Sequence, residues 1–162
     1  MLISIRDIQR TQTFSGRADL SGLRLWGETI FPTPVAIEGS VLPEYGEARV
    51  DYTATYALRG RCARCLADIL REGSASFSHP VKENPAENER ADVIPAPGGM
   101  LDMGELAGTD LLLEFARPLL CREDCKGWCP QCGADLNLAG CGCANKKKVD
   151  PRFAALMDFI ED

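Results

Sequence analysis

The chain has 162 residues, of which 45% are hydrophobic and 26% charged, and its formal net charge is −6. This composition excludes wholesale disorder, and the length suits one ordinary domain, or a domain with a small metal module. The negative charge argues against a protein that holds nucleic acid through its overall field. No apolar run approaches the roughly 20 residues that span a bilayer, and Arg6 and Asp7 come too early for a signal peptide. We therefore expect a cytoplasmic protein with no membrane partner and with reduced thiols.

The first half of the chain predicts strands. Residues 1–33 are mixed, with a candidate strand at Phe14–Asp19. Hydrophobic and polar residues then alternate from Val35 to Leu42 and from Arg49 to Arg59, with a Pro- and Gly-containing turn between them. Strict alternation of this kind is typical of half-buried strands, and the turn makes the pair antiparallel. A third strand fits Ile69–Ser78.

The second half predicts a loop and two helices. Residues 80–100 hold four prolines, a Gly pair and several acids, which predicts a mobile, solvated loop. Asp102, with Glu105 three residues on, is an N-cap in a capping box, and the helix that follows is expected to end at Pro118. The hydrophobic residues at helical spacing after Asp150 predict a short C-terminal amphipathic helix; they are Phe153, Leu156, Met157 and Ile160.

These elements define the expected fold class and domains. The class is α+β: an antiparallel sheet, either a meander or a small barrel, with a packed helix, a cysteine-rich zinc-ribbon-like module and a short C-terminal helix. Residues 1–118 form the α+β core, including the acidic loop at about 80–100. Residues 119–162 form the cysteine module and C-terminal helix, packed on the core as one structural unit.

The eight cysteines fall into close pairs. Six lie within residues 121–143, and Cys62 and Cys65 form a separate pair in the turn between the second and third strands. Cysteines two to four residues apart, beside Gly or Pro, make tight turns whose sulfurs point at one spot, which is the arrangement that tetrahedral zinc requires. The candidate metal ligands are Cys62, Cys65, Cys121, Cys125, Cys129, Cys132, Cys141 and Cys143.

The spacing favours two sites of four sulfurs. Cys129-Pro130-Gln131-Cys132-Gly133 has the form of a zinc-ribbon knuckle, and Cys141-Gly142-Cys143 would complete its site. Cys121 and Cys125 are then left to join Cys62 and Cys65. A single site made of Cys121, Cys125, Cys129 and Cys132 is the competing arrangement, so the chain is expected to hold one or two ions.

Structural zinc is the preferred interpretation, and two alternatives stay open. An iron–sulfur cluster uses the same ligands, although the spacings match no ferredoxin pattern. A redox dithiol is the other alternative, because Cys62-Ala63-Arg64-Cys65 has suitable spacing, with Arg61 and Arg64 to lower a thiol pKa.

Catalysis is not expected. A catalytic zinc keeps an open position and commonly uses His or a carboxylate, whereas four thiolates leave no room for a substrate. The single histidine, His79, follows a predicted strand and is expected to be a surface residue. Phosphate-binding loops, nucleophile elbows and dinucleotide fingerprints are absent from the sequence. We therefore expect no small-molecule substrate.

Some basic and aromatic residues could contact a nucleic acid or another partner. Lys146, Lys147, Lys148 and Arg152 follow the last cysteines, and Arg61 and Arg64 lie near the first pair, Arg61 before it and Arg64 within it. Trp128 could stack on a base. The competing interpretation is a solvated loop for the lysines and a packed indole for Trp128.

Three motifs in order carry a resemblance to a known family. They are Cys62-Ala63-Arg64-Cys65-Leu66 after an alternating strand, the cysteine-rich segment Leu120–Asn137, and Asp150-Pro151-Arg152-Phe153-Ala154-Ala155-Leu156. Together they resemble the YceD-type bacterial family, which is associated with accumulation of large-subunit (23S) ribosomal RNA. The resemblance runs from about residue 35 to the end of the chain. It implies a non-enzymatic cytosolic factor in ribosome biogenesis. Members differ in their cysteines, which implies that metal mainly holds this version together.

The leading hypothesis is thus a factor with structural zinc that promotes accumulation or stability of 23S rRNA. Its partner would be large-subunit rRNA or a ribosomal protein of the pre-50S particle. The alternative hypothesis is a cytosolic thiol redox protein or a redox-sensing zinc switch.

Overall fold

A computed structural model describes residues 1–6, 8–25, 27–44, 47–87, 89 and 92–145. Its strands are β1 (Leu2–Ser4), β2 (Gln12–Ala18), β3 (Arg24–Leu25), β4 (Glu28–Thr29), β5 (Val35–Glu44), β6 (Glu47–Arg61), β7 (Asp68–Lys82), β8 (Ile94–Pro95) and β9 (Met100–Asp102). Helix α1 spans Met103–Glu114, and short 3₁₀ turns lie at Pro97–Gly99 and Gly142–Asn145. The predicted C-terminal helix, with Lys146, Lys147, Lys148 and Arg152, lies outside the described residues.

The main sheet has the strand order β2-β5-β6-β7-β8. Strands β5, β6 and β7 form an antiparallel meander, so the predicted α+β class is confirmed, and the described strands form an open sheet rather than a barrel. The one departure is β8, which pairs with β7 in parallel. In the β6–β7 hairpin the register runs from Ala48 opposite Val81 to Arg61 opposite Asp68. This long ladder carries its turn, residues 62–67, to one end of the sheet.

One face of the sheet forms the core. Along β6 the residues Val50, Tyr52, Ala54 and Leu58 are at most 3% exposed, as the alternating pattern predicts. The core also contains Phe31, between the short strands and β5, and residues of α1. The opposite face is polar, with Thr53 bonded to Ser76 across the ladder at 2.9 Å. The sheet is therefore covered on one side only, as is common for antiparallel sheets.

Helix α1 begins where the sequence predicts and ends earlier than expected. The Asp102 carboxylate accepts a hydrogen bond from the Gly104 N–H at 2.8 Å, which confirms the N-cap. The helix ends at Glu114, so the prediction that Pro118 ends it is wrong. The reason is packing: Phe115 leaves the helical path and its ring meets those of Phe31 and Tyr56, with centroids 6.0 and 5.2 Å apart.

The predicted loop at residues 80–100 is shorter than expected. Pro80 belongs to β7, and Ile94–Pro95 forms the parallel strand β8. The carbonyl of Lys82 accepts a hydrogen bond from the Ala96 N–H at 2.8 Å, so the backbone groups of Lys82 point towards the β8 side of β7. Every second residue of β7, including Pro80, points its backbone groups to the same side. Pro80, two residues earlier, lies beyond the end of β8, and its missing N–H leaves no donor unpaired.

The first third of the chain contains more strands than the sequence suggests. The strand expected at Phe14–Asp19 is found at Gln12–Ala18, paired with β5. Strand β1 pairs with β9, immediately before α1, and thereby places the start of the chain beside the helix. In the described part of the chain, no helix has the length and apolar character needed to cross a membrane.

A buried polar cluster joins α1 to the sheet. Asp110, on the helix, is 8% exposed and accepts a short hydrogen bond from the Tyr52 hydroxyl. The same carboxylate oxygen lies 2.8 Å from Nε2 of His79. His79 is therefore half-buried and engaged in the fold, and its prediction as a surface residue is wrong. Burial, followed by the hydrogen bond to Asp110, raises the pKa of Tyr52, so its hydroxyl stays a donor.

We predict that Asp110→Ala destabilises the fold by about 2 to 3 kcal/mol, because it leaves a buried hydroxyl and an imidazole nitrogen without their shared partner. Denaturant unfolding of the metal-loaded protein measures the free-energy difference. The control is Ser76→Ala, which removes a hydrogen bond on the exposed face and should change stability by no more than about 0.5 kcal/mol. Equal losses for the two variants would contradict the role given to Asp110.

Candidate metal centres

The first centre begins at the turn of the β6–β7 hairpin. Cys62 directly follows β6, and its N–H donates to the carbonyl of Ala67 at 2.9 Å. The carbonyl of Cys62 accepts from the Leu66 N–H, also at 2.9 Å. Leu66 has φ of 59°, in the left-handed region that glycine usually occupies. These contacts fold the turn back on itself, so that Cys62 and Cys65 face the same point.

The segment after α1 supplies the other two sulfurs. The Ala63 N–H donates to the carbonyl of Leu119 at 2.8 Å, which holds this segment against the hairpin turn. The sulfurs of Cys62 and Cys125 are then 3.8 Å apart, and those of Cys65 and Cys121 are 3.6 Å apart. All four sulfurs lie within 4.8 Å of one another. The centre thus takes two ligands from each side of the domain boundary predicted at residue 118.

These distances fit one tetrahedral ion. With zinc–sulfur bonds of about 2.3 Å, a regular tetrahedron separates its sulfurs by about 3.8 Å. Iron–sulfur clusters hold their cysteines further apart, because several irons and sulfides lie between them. The donor set and its spacing therefore suit a single thiophilic ion such as Zn²⁺.

The first centre is largely enclosed, although Cys65 and Cys121 are half-buried. Cys62 and Cys125 are both 0% exposed, and Ile69 packs against them. Leu119 and Leu120 complete this small hydrophobic cluster. A four-thiolate site without an open position is typical of structural metal rather than catalytic metal.

The second centre lies entirely within the cysteine-rich segment. It gathers Cys129, Cys132, Cys141 and Cys143, whose sulfurs also lie within 4.8 Å of one another. The Cys129 N–H donates to the carbonyl of Ala134 at 2.8 Å, and the Gly133 N–H donates to the carbonyl of Cys129 at 2.9 Å. Gly133 has φ of 70°, which explains the glycine after the second cysteine of the knuckle.

The structure resolves the question of grouping. All eight cysteines are free thiols, and they form the two sets that the spacing favoured. The competing set of Cys121, Cys125, Cys129 and Cys132 is wrong, because Cys121 and Cys125 face the hairpin turn across the Ala63–Leu119 contact. The presence of metal at either set, and its identity, stay predictions.

The thiols of the first centre differ in their tendency to ionise. Burial would raise the pKa of Cys62, but backbone N–H groups of Cys121, Cys65 and Arg64 face its sulfur, and the net result is a pKa of about 6. Burial, followed by the sulfurs of Cys125, Cys65 and Cys62, raises the pKa of Cys121 to about 12. Four thiolates so close together repel one another unless a cation lies between them.

The second centre repeats this division. The backbone N–H groups of Cys132 and Gln131 lower the pKa of Cys129 to about 6. The sulfur of Cys132, followed by burial, raises the pKa of Cys143 to about 12. Each centre therefore contains one readily ionised thiol and one that ionises only when a cation stabilises its charge.

The two centres meet at a junction formed by Arg64, Gly127 and Trp128. The Arg64 guanidinium donates to the carbonyl of Cys125 at 2.6 Å, and its own carbonyl accepts from the Trp128 N–H at 3.2 Å. Gly127 has φ of 71°, and a Cβ there would lie 2.6 Å from the Arg64 carbonyl oxygen. This close backbone approach explains why the residue is glycine.

Asn137 joins the second centre to the segment after α1. Its side-chain oxygen accepts from the Lys126 N–H at 2.8 Å and from the Arg122 guanidinium at 2.9 Å. Asp135 in turn accepts from the Asn137 side-chain amide at 2.8 Å. Sequence reasoning missed both Asn137 and Gly127 as organising residues. The Asp135–Asn137 spacing is a recognisable turn signal, but their long-range contacts are not readable from spacing.

The predicted partner-binding residues have different surroundings. Arg61 lies 3.8 Å from the carboxylates of both Glu28 and Asp68, and Arg64 is engaged with the backbone of Cys125. Trp128 is 53% exposed, so its indole is not packed in the core. The structure thus brings Arg64 and Trp128 together at the junction, while partner binding by either stays a prediction.

By its fold and its two cysteine clusters, the protein belongs to the class of small α+β proteins that combine an antiparallel sheet with candidate four-cysteine metal sites. A family model, described as large ribosomal RNA subunit accumulation protein YceD, matches residues 50–160. The match covers most of β6, all of β7 and α1, and all eight cysteines. The chain belongs to this YceD family.

Curated relatives extend the comparison. Uncharacterized proteins of Mycobacterium tuberculosis and Mycobacterium bovis are 29% identical over 105 residues, which is 62% of this chain. The match spans 50% of the relatives, so the chain covers about half the length of these proteins. No solved structure matches the chain.

We predict that Gly127→Ala destabilises the protein much more than Gly133→Ala. Both glycines have φ near 70°, so each alanine bears a left-handed penalty of about 1 to 2 kcal/mol. Only at Gly127 does the added Cβ also meet a backbone oxygen; at Gly133 no atom lies within 4 Å. Denaturant unfolding of the two metal-loaded variants should therefore show the larger loss for Gly127→Ala. Equal losses of unfolding free energy would mean that the backbone at Arg64 shifts to accommodate the added Cβ, and would contradict the prediction.

We predict that zinc affinity falls as the pH falls. The thiols of Cys121 and Cys143, whose pKa values are about 12, must release protons when zinc binds near neutral pH. Below pH about 6, Cys62 and Cys129 also take up protons and the decline steepens. Competition with a chelator of known affinity, on both sides of pH 6, measures the effect. An affinity that does not change with pH would contradict thiolate ligation.

Proposed function

We propose that this protein is a non-enzymatic cytoplasmic factor in ribosome biogenesis that promotes accumulation of large-subunit (23S) rRNA. The observation that carries the proposal is the family match over residues 50–160, which includes both metal centres. In this proposal each centre holds one structural zinc ion. The first ion keeps the hairpin turn and the segment after α1 together, and the second holds residues 129–143 folded. Together they fix the shape of a binding surface.

We place the proposed binding surface at the junction of the two centres. Trp128 is 53% exposed there, beside the turn that contains Arg64. Exposed tryptophan is enriched among residues that dominate the energy of protein interfaces. The backbone on both sides of Trp128 is held by cysteine turns, so the indole is presented by a preorganised segment.

Charge favours a basic ribosomal protein of the pre-50S particle over direct contact with rRNA. The net charge is −6, and the guanidinium of Arg61 lies between two carboxylates. Arg64 is engaged with a backbone carbonyl. A phosphate backbone requires cations that are free to approach it, whereas a basic protein is attracted by acidic surroundings. Lys146, Lys147 and Lys148 are the residues by which rRNA would be contacted instead.

The redox alternative predicts different thiol behaviour. A thioredoxin-type pair opens a helix, but Cys62 and Cys65 lie in a β-hairpin turn and each faces a cysteine of another segment. Two zinc ions per purified chain with all thiols protected would support the structural role. A metal-free protein with a readily reduced Cys62–Cys65 disulfide would support the redox role instead.

The test is an in-cell crosslinking pull-down of the tagged chain from large-subunit precursors. We expect Trp128→Ala to lower recovery of the partner about tenfold, as for an interface residue of high energy. Leu138→Ala is the matched control, because Leu138 is 86% exposed in the same segment but lies outside the junction. Loss of 23S rRNA on deletion, restored by the wild type and by Leu138→Ala, is also expected. Unchanged 23S rRNA on deletion would overturn the proposal.

The partner class is read from the same experiment. Recovery of a ribosomal protein that survives nuclease treatment supports protein binding. Recovery of rRNA alone, lost when Lys146, Lys147 and Lys148 are replaced by alanine, would show that RNA is the direct partner and that the charge argument is wrong.

A further inference from the structure

We propose that the two metal centres have different roles: the first keeps its zinc as a permanent part of the fold, and the second is an exchangeable zinc site that controls the segment beside Trp128. The inference rests on the zinc occupancy given under the proposed function. Under this inference the protein has a stable one-zinc form, in which the sheet, α1 and the first centre are intact and the second centre is open.

Access to the sulfurs differs between the centres. In the first, Cys62 and Cys125 are fully buried and Ile69 packs over them. Each centre also has two half-buried cysteines, Cys65 and Cys121 in the first and Cys141 and Cys143 in the second. The difference lies in the last pair of ligands, because the second centre has Cys129 buried but Cys132 exposed. A chelator removes zinc by binding the ion while a sulfur leaves, so it needs an open side from which to approach. The second centre offers that side at Cys132.

The contacts that must break also differ. Opening the first centre separates the hairpin turn from the segment after α1. These two parts are distant in sequence, since Cys62 and Cys125 are 63 positions apart. That separation breaks the Ala63–Leu119 hydrogen bond and the short contact of Arg64 with Cys125. It also exposes the hydrophobic cluster. Such an opening approaches global unfolding in cost.

Opening the second centre is a local event. Its four ligands lie within residues 129–143, and the hydrogen bonds of Cys129 with Ala134 and Gly133 are internal to that segment. Closing so short a loop constrains the unfolded chain less than closing the long loop of the first centre. Local openings of this kind occur with the rest of a protein still folded.

The junction sets the limit of the local opening. Arg64 holds the carbonyl of Cys125 and the N–H of Trp128, and Arg64 itself belongs to the turn of the first centre. Residues up to Trp128 therefore stay in place while the first zinc is bound. Leu136 and Asn137 also stay bonded to Gly127 and Lys126, so the parts released are the cysteine turn that directly follows Trp128 and residues 138–143. Zinc exchange at the second centre thereby changes the conformation of the chain next to the exposed indole of Trp128. In this way it couples partner binding to the supply of zinc.

The test uses the purified full chain loaded with two zinc ions. Excess chelator is added, and released zinc is followed with a colorimetric indicator while iodoacetamide labels the freed thiols. We expect two phases of one zinc each, the second at least about tenfold slower. Peptide mass spectrometry should show Cys132 and Cys143 labelled in the fast phase and Cys62 and Cys125 only in the slow one.

Matched variants assign the phases independently of labelling. Cys143→Ser should retain one zinc, lose only the fast phase and keep the far-ultraviolet circular dichroism of the sheet. Cys121→Ser, also a half-buried ligand but in the first centre, should lose the slow phase and lower the free energy of unfolding far more. In the crosslinking pull-down, Cys143→Ser should recover less of the large-subunit precursor proteins than the wild type, and unchanged recovery would overturn the coupling to partner binding.

The outcomes separate this inference from the proposed function. Two zinc ions released in one phase, or Cys62 labelled as fast as Cys132, would overturn the inference and leave the structural zinc in place. The inference also fails if Cys143→Ser loses both ions. A chain that binds no zinc when purified or when zinc is added overturns both the inference and the zinc occupancy from which it starts.

Discussion

The structure depends on four cysteine sulfurs that come from two distant segments and lie within 4.8 Å of one another. Without a cation the Cys121 thiol stays protonated, and these segments are held together only by a small hydrophobic cluster and a few hydrogen bonds. A bound ion would add the attraction of four thiolates to one cation. The hairpin turn, the segment after α1 and the junction at Arg64 are then fixed relative to the sheet.

The sheet and helix place those segments correctly before any metal binds. The β6–β7 ladder is long and in continuous register, which sets where Cys62 and Cys65 lie. Asp110, bonded to Tyr52 and His79, sets the position of α1 and hence of the chain that leaves it. Metal affinity is highest when the ligands need little rearrangement, so the buried polar cluster contributes to the first centre from a distance.

The parts of the fold that follow from local patterns were predictable from the sequence. The alternation along β6, the N-cap at Asp102 and the grouping of the cysteines depend on period, side-chain chemistry and spacing. The parts that depend on contacts between distant residues were not. Phe115 ends α1 because of Phe31 and Tyr56, and Gly127 is a glycine because of Arg64. No window of sequence around either residue contains its partner.

The same long separation has a consequence during synthesis. Cys62 and Cys65 leave the ribosome well before Cys121 and Cys125, which follow 56 to 63 residues later. At elongation rates of about 5 to 20 residues per second, the first two thiols wait roughly 3 to 12 s for their partners. During that interval the two thiols, which are only three positions apart in the chain, can be joined by an oxidant or bound by a stray ion. The order of the chain thus makes the time of translation the interval in which the first centre is most sensitive to the redox state and the metal content of its surroundings.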